Sequence, residues 1–332
     1  MNNLLFALPL LGFFVTIVVL PLWIRKSHRT GSLWEDMNKF NRPKNVAASG
    51  GIVVVMSFII CVLLYVAFQT FLIESSSEII TMVFALLGTI SILAMVGLVD
   101  DMLGWKSGGL STRARLILAF VASIPLVVIN AGNSSMTFPF LGSVNLGLIY
   151  PLILIPLGIA GATTTYNFLA GFNGLESGQG ILILSFLSFV AYRTGSNWLS
   201  LIGLIMVFCL IAFFIFNKYP AKVFPGDSLT WTIGALIAGM AILGNFERLA
   251  IFVFIPYILE TLLKIRGGLK KQSFAKPNAD GSLNMPYSKI YGLTHLSLFV
   301  LKKIKRKVYE KDVVFAIFIF QIIFILIGLL LI

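Results

Sequence analysis

Charge is scarce in this sequence. Only 11% of its 332 residues are Asp, Glu, Lys or Arg, whereas 58% are hydrophobic and the mean hydropathy is +0.97. A soluble domain must cover itself with polar groups, so the composition excludes that class and reads as a multi-spanning membrane protein. Acids are scarcer still, 13 against 25 Lys and Arg, which leaves a formal charge of +12. In a membrane chain that excess is an orientation signal and not a nucleic-acid footprint, so no nucleic-acid partner is expected. Cysteine is nearly absent. Cys61 and Cys209 both fall inside apolar runs, which argues against a metal pattern or a disulfide framework. The two histidines, His28 and His295, stand alone, and a surface or loop role is expected for each before metal ligation. There is no glycine-rich P-loop and no Gly-x-Ser-x-Gly elbow. The first apolar run, from Leu4, has no basic region before it and no small-residue cleavage site after it. It reads as a retained span and not as a removed signal peptide.

What the chain has in abundance is apolar length. A spanning helix takes about 20 apolar residues, and ten such runs fall at 4–24, 50–73, 78–99, 114–131, 147–166, 179–194, 198–217, 229–244, 246–265 and 312–331. The expectation is an all-α polytopic membrane protein, residues 1–332 forming one domain. The sixth and eighth runs are short, which leaves tilting or partial re-entry open for them. Segments 25–45, 100–115, 217–222 and 264–311 hold 6, 3, 2 and 12 basic residues, so 23 of 25 lie on one face and only Arg193 and Arg248 on the other. The positive-inside rule assigns the rich face to the cytoplasm and both termini to the outside of a cell membrane.

The polar motifs share that parity. Asp100–Asp101, "NFLAGFNGLESGQG", "FPGDS" and the 266–311 loop all face the cytoplasm, while the outward loops, among them "ESSSE" from Glu74, are short and bland. One of these carries the triplet Asn133-Ser134-Ser135, a pattern compatible with glycosylation. Polar groups confined to one face argue against a transporter, whose path should be marked at the midplane.

Four constellations carry chemistry. Adjacent carboxylates at Asp100 and Asp101 repel beside hydrocarbon unless a cation is near; they read equally as a site or as helix-end markers. In the 163–180 segment Asn167, Asn173, Glu176 and Gln179 alternate with Gly171, Gly174, Gly178 and Gly180, a density that suits close backbone approach to a ligand. Asp227 follows Phe224-Pro225-Gly226, an aromatic ring on a rigid turn that suits base stacking, although "GDS" also reads as a helix cap. The 264–311 loop pairs a turn-rich basic stretch, suited to covering phosphates, with "LKKIKRK", a polybasic run drawn to anionic membrane lipids. Together these parts suit a nucleotide sugar: acids and an Asn for Mg2+, cations for phosphate, an aromatic and an Asn for a base.

At these residues the sequence resembles the polyprenyl-phosphate N-acetylhexosamine-1-phosphate transferases, and among them the archaeal and eukaryotic enzymes that use UDP-GlcNAc and dolichyl phosphate. The likeness covers roughly residues 30 to 305 and rests on five ordered motifs: "DMNK" with a downstream "SGG" (36–51), "GLVDDMLGW" (97–105), "NFLAGFNGLESGQ" (167–179), "FPGD" (224–227) and "LNMPYSK" (283–289). The resemblance implies about ten transmembrane helices, a cytoplasmic cleft and a homodimer. It also implies transfer of a sugar-1-phosphate from a UDP-sugar to a lipid phosphate with release of UMP, as the first lipid-linked step of glycan assembly. By position it makes Asn167 and Asp227 ligands of Mg2+, with Mn2+ as the alternative, and sets Asp101 close to the metal or phosphates. Phe224, Asn173 and Gly171 match uridine-binding positions, and Asp100 matches the acid assigned to catalysis. Arg115 falls where the family usually has a lysine on the pyrophosphate, and it retains the charge with a bidentate fork. Lys39 lies in the first motif and is expected at phosphate or sugar. Lys44 replaces a glutamate near the uridine, and Lys270, Lys271 and Gln272 stand where the eukaryotic enzymes have a sugar-binding Arg-His-Arg. The alternatives are another UDP-N-acetylhexosamine donor and, in a different class, a transporter.

Overall fold

The computed structural model describes Leu5 and residues 7–73, 77–138 and 142–332. In chain order its helices are α1 (Ala7–Thr30), α2 (Gly51–Phe68), α3 (Ser77–Ser107), α4 (Thr112–Ala122), α5 (Ile124–Val128), α6 (Ile155–Phe168), α7 (Leu175–Arg193), α8 (Asn197–Asn217), α9 (Asp227–Gly244), α10 (Glu247–Val253), α11 (Ile255–Arg266), α12 (Leu293–Ile304) and α13 (Glu310–Leu329). Strands among the described residues form three two-stranded antiparallel hairpins: β1–β2 (Leu33–Glu35, Lys44–Ala47), β3–β4 (Ser135–Phe138, Gly142–Asn145) and β5–β6 (Lys276–Pro277, Leu283–Asn284). The molecule is an all-α polytopic membrane protein, as the apolar runs imply. Part of the "ESSSE" loop, residues 74–76, lies outside the described residues.

Among the described residues seven helices, α1, α2, α3, α7, α8, α9 and α13, are long and apolar enough to cross a bilayer. The sixth and eighth runs, the two open to re-entry on length alone, are continuous helices. Their polar first turns, Leu175-Glu176-Ser177 and Asp227-Ser228, are helical but fall outside an apolar count. The second run ends in a π-type turn at Gln69–Ile73, and the fourth, fifth and ninth are interrupted, each with a proline at its break. Pro125 opens α5, Pro151 lies in a π-type turn at Tyr150–Leu154 ahead of Pro156 in α6, and Pro256 opens α11. Proline has no N–H to donate, so a carbonyl one turn back loses its partner.

At the ninth span the break frees a second carbonyl, which is served from elsewhere. Tyr257 N turns to Phe254 O at 2.9 Å, and the freed Val253 carbonyl accepts Gln321 Nε2 from α13 at 2.9 Å. Gln321 is fully buried among apolar side chains. Its replacement by leucine is expected to cost about 1–3 kcal/mol, because a buried acceptor is left bare; a lowered thermal midpoint of the purified protein checks this.

The centre of the bundle is α9, whose apolar window is 89% buried against 28% for α1 and α13. Small residues along α9 (Gly234, Ala235, Ala238, Gly239) allow this, since helices in a membrane pack by close van der Waals approach. The closest approach is to α3. A Cβ at Gly97 would lie 2.6 Å from the carbonyl carbon and oxygen of Asp227, so only glycine lets α3 touch the first turn of α9. The chain just before α9 is stitched to β2: Ala47 N donates to Lys222 O at 3.1 Å and Phe224 N to Ala47 O at 2.9 Å. At the other end of the bundle Tyr150 donates its hydroxyl to Glu247, and Asn133 stands exposed ahead of β3.

Candidate active site

The ends of α3, α6 and α9 converge on a cavity of about 960 Å³. Asp100 and Asp101 follow each other on α3, and a helix turns successive side chains about 100° apart. They therefore meet different partners. Asp101 points under the start of α9, where Oδ1 accepts Asp227 N at 2.8 Å and Oδ2 accepts Ser228 N at 3.4 Å. It caps, from another helix, amides that α9 leaves unpaired, and its negative charge suits the positive end of the helix dipole. Asp227 does not cap its own helix. Gly226 holds that position with φ of +72°, and a Cβ there would come 2.3 Å from Asp101 Oδ2, so the turn requires glycine twice over.

Asp100 points the other way, towards the start of α4. It is 2% exposed, its Oδ1 accepts Leu110 N at 2.5 Å, and its Oδ2 lies 2.8 Å from Arg115 Nη2. That last contact is close but poorly aligned for a hydrogen bond, and it acts as a charge contact. The guanidinium also reaches Asp227, with Nη1 3.9 Å from Oδ2. The Asp227 side chain is 24% exposed to the cavity. Asn167, in the last turn of α6, accepts Thr230 Oγ1 at 3.1 Å, which ties it to the turn of α9 that carries Asp227. At this end of the cavity Asp100, Asp101, Asp227 and Asn167 gather near the guanidinium of Arg115, while Glu35, Asp36 and Glu176 line it elsewhere.

Of the residues expected in the site, Asp100, Asp101, Arg115, Asn167, Gly171, Phe224 and Asp227 line this cavity. The other five do not. Asn173 is buried behind it, donating Nδ2 to Asp36 Oδ2 at 3.1 Å and its backbone N to Glu310 Oε1 at 2.7 Å. Lys39 belongs to the same buried group: it is ion-paired with Glu310, lies 3.5 Å from Asp36 Oδ2, and stands 3.9 Å over the Tyr219 ring. Lys271 lies 5.0 Å from the Tyr287 ring centroid, while Lys270 and Gln272 are exposed beside it. His28 is exposed on the last turn of α1. His295, expected at a surface or in a loop, is instead 1% exposed within α12. Burial pushes its imidazole down to about 4, so it is neutral at physiological pH. Sequence reasoning did not single out Phe274 or Trp34, which also line the cavity. A lone aromatic in a polar stretch carries no pattern that would have marked it.

Residues 83–245, which run from α3 through α9, match the model of glycosyl transferase family 4. The chain is 34% identical over 313 residues to a Saccharolobus solfataricus protein provisionally named UDP-N-acetylglucosamine–dolichyl-phosphate N-acetylglucosaminephosphotransferase, covering 93% of this chain and 92% of that one. It is 32% identical over 267 residues to the Dictyostelium discoideum protein of that name, covering 69% and 64% of the two chains. It is also 24% identical over 272 residues to the phospho-N-acetylmuramoyl-pentapeptide-transferase of Staphylococcus carnosus, covering 78% and 82%. The family model spans the helices that build the cavity, and the archaeal likeness runs nearly end to end; the chain belongs to glycosyl transferase family 4 and is a multi-pass membrane phosphotransferase.

Proposed function

We propose that the protein transfers GlcNAc-1-phosphate from UDP-GlcNAc to a polyprenyl phosphate of the dolichyl type. A lipid phosphate oxygen attacks the β-phosphorus of the donor, the bond from that phosphorus to the bridging oxygen breaks, and UMP leaves. The observation that carries the reading is the meeting of Asp227, Asn167 and Arg115 in one cavity, from helices far apart in sequence. The names of the archaeal and Dictyostelium relatives support the choice of donor and acceptor.

Arg115 offsets the charge of the transferred phosphate, and Asp100 holds the guanidinium in place. Both oxygens of Asp100 already face Leu110 N and Arg115, which favours an orienting role over proton removal. A phosphomonoester with its second pKa at about 6 is largely ionised near neutral pH, so the acceptor needs positioning more than a base. Asp101 seats the first turn of α9 and so aims Asp227.

The donor set suits Mg2+: the hard oxygens of Asp227 and Asn167 beside the carboxylates of Asp100 and Asp101, and no preformed cage of three His, Cys, Asp or Glu among the described residues. Magnesium characteristically takes one or two carboxylates and completes its shell with substrate phosphates and water. Asp227 and Asn167 would hold it, and when bound it supplies charge neutralisation at the pyrophosphate. The basic-rich loops support a cytoplasmic cleft with both termini outside.

The test supplies radiolabelled UDP-GlcNAc, UDP-GalNAc and UDP-MurNAc-pentapeptide with two polyprenyl phosphates, with and without EDTA. The expected result is label in lipid from UDP-GlcNAc with one UMP released per transfer, and no transfer in EDTA. Preference for another UDP-sugar moves the donor assignment. Release of UDP, or vesicle flux without UMP, overturns the reaction.

A further inference from the structure

Phe274 enters the cleft from a loop whose backbone is pinned on both sides of it. Before it, Ser273 Oγ receives Lys264 Nζ at 2.6 Å and donates to Phe168 O at 3.3 Å, and the Ser273 carbonyl accepts Thr294 Oγ1 at 2.9 Å. After it, Ala275 N donates to Asn38 Oδ1 at 3.0 Å, while Asn38 Nδ2 donates to Gly171 O at 2.7 Å. Groups from α6, α11, α12 and the β1–β2 connection therefore converge on three consecutive residues. The ring they position rests on Gly171, so close that a Cβ there would lie 2.6 Å from a ring carbon.

Behind the loop sits a buried charge pair that the transfer reaction does not use. Glu260 is fully buried on α11; its Oε2 accepts Leu293 N, the first amide of α12, at 2.5 Å, and its Oε1 lies 3.8 Å from Lys264 Nζ. Lys264 Nζ also donates to Lys271 O at 3.0 Å. One carboxylate thus caps α12 while its partner lysine grips the loop on either side of Gln272. Burying two ions is a poor route to stability compared with packing apolar side chains, so the pair is better explained by the geometry it imposes.

We propose that Phe274 is a ring on which the planar base of the nucleotide donor stacks, and that the buried Glu260–Lys264 pair is its positioning device. This rests on the reading of the cleft as a UDP-sugar site. The pyrophosphate and the acceptor phosphate are drawn to Arg115. What Phe274 meets is the backbone of Gly171, whose N–H is taken by the Glu176 carboxylate at 2.8 Å. A neutral, flat group fits there, and stacking on an aromatic face needs no hydrogen-bond partner.

The experiment pairs calorimetric binding of UMP to the purified protein with steady-state kinetics. UMP carries the base but neither the sugar nor the lipid. Phe274→Ala is expected to weaken UMP binding and raise KM for UDP-GlcNAc together, each by about 10-fold, with kcat and KM for the polyprenyl phosphate within about 2-fold of the parent. Phe274→Tyr should restore both. Lys264→Met should reproduce the alanine shift, and the double variant Lys264→Met/Phe274→Ala should show no further loss. Unchanged UMP binding with a raised KM for UDP-GlcNAc would mean that the ring meets the sugar, and the base assignment falls. A rise in KM for the lipid alone overturns it as well. Additive effects of the two substitutions remove the positioning role. If the parent binds UMP but does not turn over UDP-GlcNAc, the transferase reading fails while the binding arm still decides the fate of Phe274. If Lys264→Met does not fold, Glu260→Gln replaces it in the same cycle.

Discussion

Asp227→Ala is expected to lower Mg2+-dependent release of UMP by at least ~10³-fold, since a charge placed for the transition state is removed outright. The variant should still fold. Asp101 grips the backbone amides of Asp227 and Ser228, not the Asp227 side chain, so the start of α9 keeps its cap. Asp227→Asn should lose nearly as much, because it preserves shape and removes charge. The measurement is UMP release per folded molecule, with the thermal midpoint followed in parallel. Near-normal turnover in either variant would sink the assignment of Asp227 to the metal.

Arg115 tests a different part of the site. Arg115→Ala leaves the Asp100 carboxylate buried without its cation, a loss of the order of 3 kcal/mol, held to the low end because the arginine side chain is itself 34% exposed. Turnover should fall by ~10²–10³-fold as the phosphate loses its cation. Arg115→Lys keeps the charge but loses the fork that reaches Asp100 and Asp227 at once, so an intermediate loss of about 10-fold is expected. If lysine and alanine behave alike in both turnover and stability, Arg115 does not act on the phosphates.

Several of these residues were legible in the chain, for a simple reason. In a sequence with so little charge, an acid or amide beside an apolar run needs a cause, and Asp100, Asp101, Asn167 and Asp227 stand out on that ground. Phe224 stands out through its neighbours Pro225 and Gly226. Asn173 and Lys39 stand out equally well, yet the structure puts both in the buried group with Asp36 and Glu310, since a polar residue is marked whether it serves a ligand or a neighbouring loop. Phe274 could not be marked, because its role depends on Ser273 and Ala275 being held by residues up to 237 positions away.

The breaks in the fourth, fifth and ninth spans divide in the same way. Proline announces that a helix loses a hydrogen bond, so the positions of the breaks are written locally. That Gln321 serves a carbonyl freed at one of them is not, because the donor lies 68 residues from that carbonyl. The two adjacent aspartates make the distinction sharpest. Composition and loop charge determined by themselves that this is a multi-pass membrane chain with its basic residues and polar motifs gathered on one face. Hydrophobic length and the scarcity of charge are properties of short windows, and they survive without any knowledge of contacts. Only the tertiary structure decided that Asp101 caps α9 across 126 residues while Asp100 turns to Arg115. That outcome depends on which helix ends can approach, and the approach is set by the missing side chain at Gly97 against the first turn of α9.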